Sequence, residues 1–271
     1  MRIPPEPTVV VGVDGSDPCL DALSFAVPEA AARRWPLTLL HAGGTPGDEA
    51  LTVAHARVRE LDGSVAVVTT ASDSRPAQAL VDAAGTEGLV VVGARGRGAI
   101  GTRLLGSTSA TLARRATCPV VVVGRHLGEP GGRVVLGVAR GTTADVVGQA
   151  FAVASARSLE LLAVHSWEGG TDLTDTFLRA GADVRQERVA AEEQVLAEAL
   201  APWLDKFPEV AVRRYVSDQP PERVLLAHAI GALLVVVGRG APQRSALVGV
   251  GSTTRALLHR GACPVMVVNV P

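Results

Sequence analysis

The chain is expected to fold as an α/β protein: two tandem copies of one domain, each built on an open parallel sheet flanked by helices. Short aliphatic runs such as VVVGV (residues 9–13), LVVVG (89–93) and PVVVV (119–123) alternate with segments of helical spacing, the pattern of right-handed βαβ units. The chain is 47% hydrophobic but only 3% aromatic, and continuous aliphatic strands of this kind suit a parallel sheet covered on both faces. The third observation is duplication. VVLGV (134–138) repeats VVVGV, LLAVH (161–165) repeats LTLLH (37–41), LLVVVG (233–238) repeats GLVVVG (88–93), and ACPVMVV (262–268) repeats TCPVVVV (117–123). A length of 271 residues accommodates two domains, each with its own core.

In order, TVVVGVD (8–14) reads as a buried strand ending in a turn, followed by a helix over 18–34 that Pro28 is placed to kink. PLTLLH (36–41) is a second strand, 48–61 a helix and VAVVTT (65–70) a third strand. A helix over 76–84 has Ser74 or Asp73 near its cap. The LVVVG strand then leads through a loop with glycines at 93, 96, 98, 101 and 106 into a helix over 107–115, and PVVVV closes the first copy. The early landmarks of the second copy are offset by 124 to 125 residues and the later ones by 145. The extra length falls between His165 and Val210, where 174–206 reads as a longer helix or a loop plus helix. The expected boundaries are 1–126 for the first domain, 127–132 for a linker and 133–271 for the second.

Strand, glycine-rich loop and helix start, in that order, suit a phosphate. Glycines let the backbone approach an anion, and the free N–H groups and dipole of a helix N-terminus favour negative charge. A plain surface loop is the competing reading of the glycines, and a turn or helix-cap role competes for Asp14. A net charge of −1 gives no general electrostatic reason to bind nucleic acid. No apolar run approaches the roughly 18 to 20 residues of a membrane helix and no leader is evident, so a cytoplasmic protein is expected. Three cysteines without C-x-x-C spacing fit a reducing compartment, with Cys118 and Cys263 read as buried structural thiols. The six histidines form no metal signature. His41 and His165, at equivalent strand ends facing the edge of the expected pocket, are read as packing or backbone-bonding residues. The single lysine, Lys206, lies far from the loop, so no Walker G-x4-G-K-[ST] pattern exists.

The G-x2-G-x9-G-S spacing of Gly93, Gly96, Gly106 and Ser107, with Asp14 after the first strand and the repeated CPVVVV ending, resembles the universal stress protein family across nearly all of both halves. That resemblance implies two tandem five-stranded parallel sheets of the adenine nucleotide alpha-hydrolase-like, Rossmann-like class. It implies an adenine-nucleotide pocket at the carboxyl ends of the strands, where open α/β sheets generally bind ligands. Asp14, flanked by Gly12 and Val13, would meet the ribose or adenine side, and Ala42 the adenine. Gly93, Arg95 and Gly96 would wrap the sugar and phosphates, and Gly106, Ser107 and Thr108 would bind phosphates. Arg97 and Arg103 are further candidates for neutralising phosphate. The cofactor implied is ATP, with Mg²⁺ held mainly by phosphate oxygens and water.

The second copy departs from the pattern: Ala139 stands at the Asp14 position and Ala241 at the Gly96 position, where it could hinder a positive φ or the approach of a ligand. Unequal sites are expected, the first binding ATP and the second binding it weakly or not at all. By resemblance the valine-rich final strands, begun by Pro119 and Pro264, mediate dimer contacts. The expectation is an internal domain–domain pseudo-dimer, with a homodimer and an unidentified protein partner left open. The leading function is an ATP-binding stress or signalling protein in which nucleotide occupancy tunes conformation or partner binding. The rivals are a weak ATPase or nucleotide-transfer enzyme, and a structural or interaction module that binds no nucleotide.

Overall fold

The computed structural model describes residues 6–43, 48–96, 105–124, 131–167, 182–240 and 249–269. In the first half, β1 (Val9–Gly12), α1 (Asp17–Arg33), β2 (Leu37–Ala42), α2 (Asp48–Leu61), β3 (Val67–Ser72), α3 (Pro76–Ala84), β4 (Leu89–Gly93), α4 (Ser107–Arg115) and β5 (Val120–Val123) alternate as expected. The second half repeats the order with β6 (Arg133–Val138), α5 (Ala144–Ala156), β7 (Glu160–Ser166), α6 (Ala182–Leu204), β8 (Val212–Ser217), α7 (Pro221–Ala229), β9 (Leu234–Gly238), α8 (Ser252–Arg260) and β10 (Val265–Val268).

Each half contributes five parallel strands, but the two sheets are not separate. They form one ten-stranded sheet, ordered β3-β2-β1-β4-β5-β10-β9-β6-β7-β8. Its centre is the antiparallel pairing of β5 with β10, in which Val121 faces Met266; all other pairs are parallel. Both central strands are buried along their whole length. Pairing them removes two valine-rich edges that would otherwise template aggregation.

Helices α1, α2, α5 and α6 cover one face over a core that runs through both halves, from Leu37 and Val9 through Val121 and Met266 to Leu161. On the other face the core is split, α3 and α4 covering the first half and α7 and α8 the second. Polar contacts also cross the middle. Arg157 of the second half lies 3.6 Å from the buried carboxylate of Glu29, which Arg33 holds at 2.7 Å. Asn269 donates to the Leu112 carbonyl and Arg239 to the Arg114 carbonyl, so the second half satisfies the C-terminal end of α4.

α1 contains Pro28 and, as expected, ends at Arg34, whose φ of 57° is left-handed. The N-cap of α3 is Arg75 and makes no side-chain cap bond. Ser74 and Asp73 lie just before the cap, as expected, and Pro76 at the first helical position puts Arg75 at the cap itself. The third strand is shifted to 67–72, pairing Val67 with Leu37. Of the candidates named above, Arg97, Arg103, Ala241 and linker residues 127–130 lie outside the described residues.

Candidate nucleotide site

The first half holds a cavity of about 540 Å³ at the carboxyl ends of its strands. Gly12, Val13, Asp14, Ala42, Gly93, Arg95, Gly96, Gly106, Ser107 and Thr108 all line it. β1 delivers Asp14, β2 delivers Ala42, β4 delivers Gly93, and α4 brings Ser107 and Thr108 at its first turn. Asp14 Oδ1 accepts from the Ser16 amide at 3.0 Å and from the Ser16 hydroxyl at 2.6 Å. The turn and ligand readings of Asp14 are therefore compatible, because a carboxylate has a second oxygen. That oxygen, Oδ2, is turned toward Gly96 so closely that a Cβ there would overlap it.

Gly96 leaves room for the Asp14 carboxylate, which a Cβ at this position would push aside. Among the described residues the glycines of positive φ include Gly240 but not Gly96. Gly93 also has a packing reason: a Cβ there would lie 2.5 Å from the Pro18 carbonyl oxygen, so glycine lets the start of α1 approach the end of β4. The Ser109 hydroxyl donates to the Gly93 carbonyl at 2.7 Å and ties α4 to the strand.

The N-cap of α4 is Gly106, in extended conformation and without a side-chain cap. Helix starts usually meet a Ser, Thr or Asp oxygen that takes one of the first amides. A glycine supplies no such oxygen, and the first turn instead faces the cavity, an arrangement suited to an anion.

The second half repeats the cavity with a volume of about 460 Å³. α8 begins at Gly251, again without a side-chain cap, and Thr254 donates to the Gly238 carbonyl as Ser109 does to Gly93. The apolar wall persists, with Pro221 and Leu225 in place of Pro76 and Leu80. The polar wall changes. Ala139 replaces Asp14, its loop to the next helix is longer, and Arg140 and Arg239 enter the lining.

The model of the universal stress protein family matches residues 7–62, 43–124 and 132–269. The chain belongs to the universal stress protein family. It is 32% identical to universal stress protein Rv2005c of Mycobacterium tuberculosis over 289 residues, covering 96% of each chain. Universal stress protein Rv2623 of the same organism is 33% identical over 288 residues, covering 96% of this chain and 95% of its own. Among solved structures, a universal stress protein from Archaeoglobus fulgidus is similar in fold: TM-score 0.62, 18% identity, 97% of this chain and 98% of that one covered.

In this universal stress protein the two strand-end histidines do not line the cavities. Along β2, Leu39 belongs to the core under α1 and α2, while Leu40 and Ala42 belong to the opposite face. Strand alternation puts His41 on the Leu39 side, away from the cavity. His41 Nδ1 bonds the Val13 carbonyl at 2.7 Å, and His165 Nδ1 the Val138 carbonyl at 2.9 Å. The cysteines are free and buried. Burial pushes the Cys118 thiol up to about 11 and the Cys263 thiol to about 12, which leaves them protonated and unreactive. Cys19 lines the first cavity and is also raised, mainly by burial. Among the described residues no helix is long and apolar enough to cross a membrane.

Reading by motif missed the apolar wall: Leu40, Pro76, Leu80 and Val92. The recurrence of a proline and a leucine four residues later, as Pro76 with Leu80 and Pro221 with Leu225, was the available signal. It also missed Glu192. The buried positions of α2 are Ala50, Ala54 and Val58; in α6 the same spacing holds Glu192, Leu196 and Leu200. Glu192 is fully buried, with His165 Nε2 at 2.9 Å, Arg140 Nη2 at 2.8 Å and Arg188 Nε at 2.9 Å. Desolvation pushes its carboxyl up, but hydrogen bonds from Arg140 and His165 and the charges of Arg140 and Arg188 outweigh this and hold it below its ordinary 4.5. A lowered carboxyl stabilises the fold above its ordinary pKa, and that contribution is lost as pH falls through the folded value. The urea midpoint of the natural chain should therefore exceed that of Glu192→Gln most near neutral pH, with the gap closing in acid. A gap independent of pH would count against this.

Proposed function

We propose that this universal stress protein binds ATP in its first half and acts as a stress or signalling module whose nucleotide occupancy tunes its conformation or its binding of a protein partner. One observation carries the reading: a carboxylate packed against a glycine, Asp14 against Gly96, shares a cavity with an uncapped helix start at Gly106. The carboxylate suits ribose hydroxyls, the helix start suits phosphates, and the wall formed by Val13, Leu40, Pro76 and Leu80 suits a flat apolar base. Mg²⁺ accompanies the nucleotide through phosphate oxygens and water.

Denaturing the purified chain and searching the supernatant for adenine by absorbance and mass tests this directly, followed by calorimetry with ATP on nucleotide-free protein. The expected result is one tight site. Absence of copurifying nucleotide together with no heat on adding ATP would sink the proposal. Release of ADP during the same incubation would favour the enzyme reading.

A further inference from the structure

The second cavity differs from the first in a consistent direction. At the end of β6 the ribose-facing carboxylate is gone, and the loop is closed on itself instead: Thr142 N–H donates to the Ala139 carbonyl at 3.0 Å, and Ala139 N–H to the Thr142 hydroxyl at 2.8 Å. Gly141, at a φ of 82°, makes that turn possible. Between Val138 and α5 the turn adds residues that the first half lacks between Val13 and α1, and one of them is Arg140.

Arg140 is tied to the core by one ion pair. Buried Glu192 holds its guanidinium at 2.8 Å while most of the side chain stays open to solvent. Glu192 also faces Arg188. One carboxylate is thus shared by two permanently charged guanidinium groups and cannot neutralise both; of the two, Arg140 lines the cavity. A second arginine, Arg239, occupies the place of Ala94 after the following strand of the repeat and lines the same cavity. One of its N–H groups goes to the Arg114 carbonyl at 3.1 Å; a guanidinium carries five. The uncapped first turn of α8 lies on the same cavity through Ser252 and Thr253, and so does Thr143, whose buried hydroxyl has no hydrogen-bond partner among the described residues.

From this we infer that the second cavity is a separate anion site, taking a phosphorylated ligand through Arg140, Arg239 and the start of α8 without reading a ribose. Two arginines and a helix N-terminus recognise phosphoryl oxygens in any carrier. With Ala139 in place of a carboxylate, the end of β6 offers sugar hydroxyls no charged acceptor. The two halves of the chain thereby divide the work, the first selecting a nucleoside and the second a charge.

The test uses the full chain carrying Gly96→Val, which crowds Asp14 in the first cavity, and the arginine variants assign the binding that remains to the second cavity. Folding is checked by circular dichroism. Inorganic tripolyphosphate, ATP and 2′,3′-dideoxy-ATP are titrated calorimetrically. The expected result is one site for each probe, with ATP and its dideoxy analogue within about threefold of each other. Arg140→Gln and Arg239→Gln, made separately because Arg239 also holds α4, should each weaken all three probes by about tenfold, the loss of one charge-assisted bond. No binding of tripolyphosphate would overturn the proposal. So would a tenfold or greater preference for the intact ribose, or affinities unaltered in both arginine variants.

Discussion

Asp14→Ala is expected to weaken ATP binding by about tenfold or more, with little change in the stability of the fold. A charge-assisted hydrogen bond contributes about 1.5 to 3 kcal/mol, and each 1.4 kcal/mol is a factor of ten in affinity. Asp14 is half-buried, and its contacts with Ser16 lie in the turn before α1 and not in the core. Gly96→Val should weaken ATP binding at least as much, because a Cβ at position 96 displaces the Asp14 carboxylate and the added methyl groups crowd the lining around it. The double variant Asp14→Ala with Gly96→Ala is the informative control. Removing the carboxylate makes room for the methyl, and the pair then matches the second half, which has alanine at both places. Its affinity should equal that of Asp14→Ala alone, the signature of two residues acting as one unit. Calorimetry on nucleotide-free protein measures all four chains. Equal affinity of the natural chain and Asp14→Ala would remove the role assigned to the carboxylate.

Phe151→Ala is expected to cost about 3 to 5 kcal/mol of stability, a large share of the roughly 5 to 15 kcal/mol of an ordinary domain. Phe151 is fully buried in α5. Its ring lies 6.3 Å from Trp203 and 5.8 Å from Phe207, and those two lie 6.1 Å apart. In a chain only 3% aromatic, this cluster is where α5 and the end of α6 are joined, and Gly148 one turn earlier admits the Trp203 ring. Urea unfolding followed by tryptophan fluorescence should show the midpoint falling in Phe151→Ala and only slightly in Phe151→Leu, which keeps most of the volume. A loss below about 1 kcal/mol would mean that the site collapses around the deletion.

Where a property was carried by short-range pattern, the residues alone disclosed it. The aliphatic runs become strands because β-branched and leucine side chains fill both faces of a covered sheet, and β4 and β9 fall on the same LVVVG text in both halves. Helices α2, α3 and α4 begin and end where spacing and proline placed them. The Gly-rich loop led to residues that share one cavity because a strand end followed by a helix start is a local geometry. The boundary of the third strand, expected at 65–70 and found at 67–72, moved because pairing with β2 sets its register.

The sequence by itself determined a duplicated α/β protein, its family, the order of its strands and helices, and the inequality of its two glycine loops. Tertiary structure alone decided that β5 and β10 pair antiparallel and merge two sheets into one. It alone set Asp14 against Gly96, turned the histidines away from the cavities, and brought Arg140 to Glu192 and Arg239 to the end of α4. The reason is range. Strand and helix formation follow from periods of two and 3.6 residues along the chain, whereas these contacts join residues far apart in sequence, whose meeting is fixed only when the sheet has assembled.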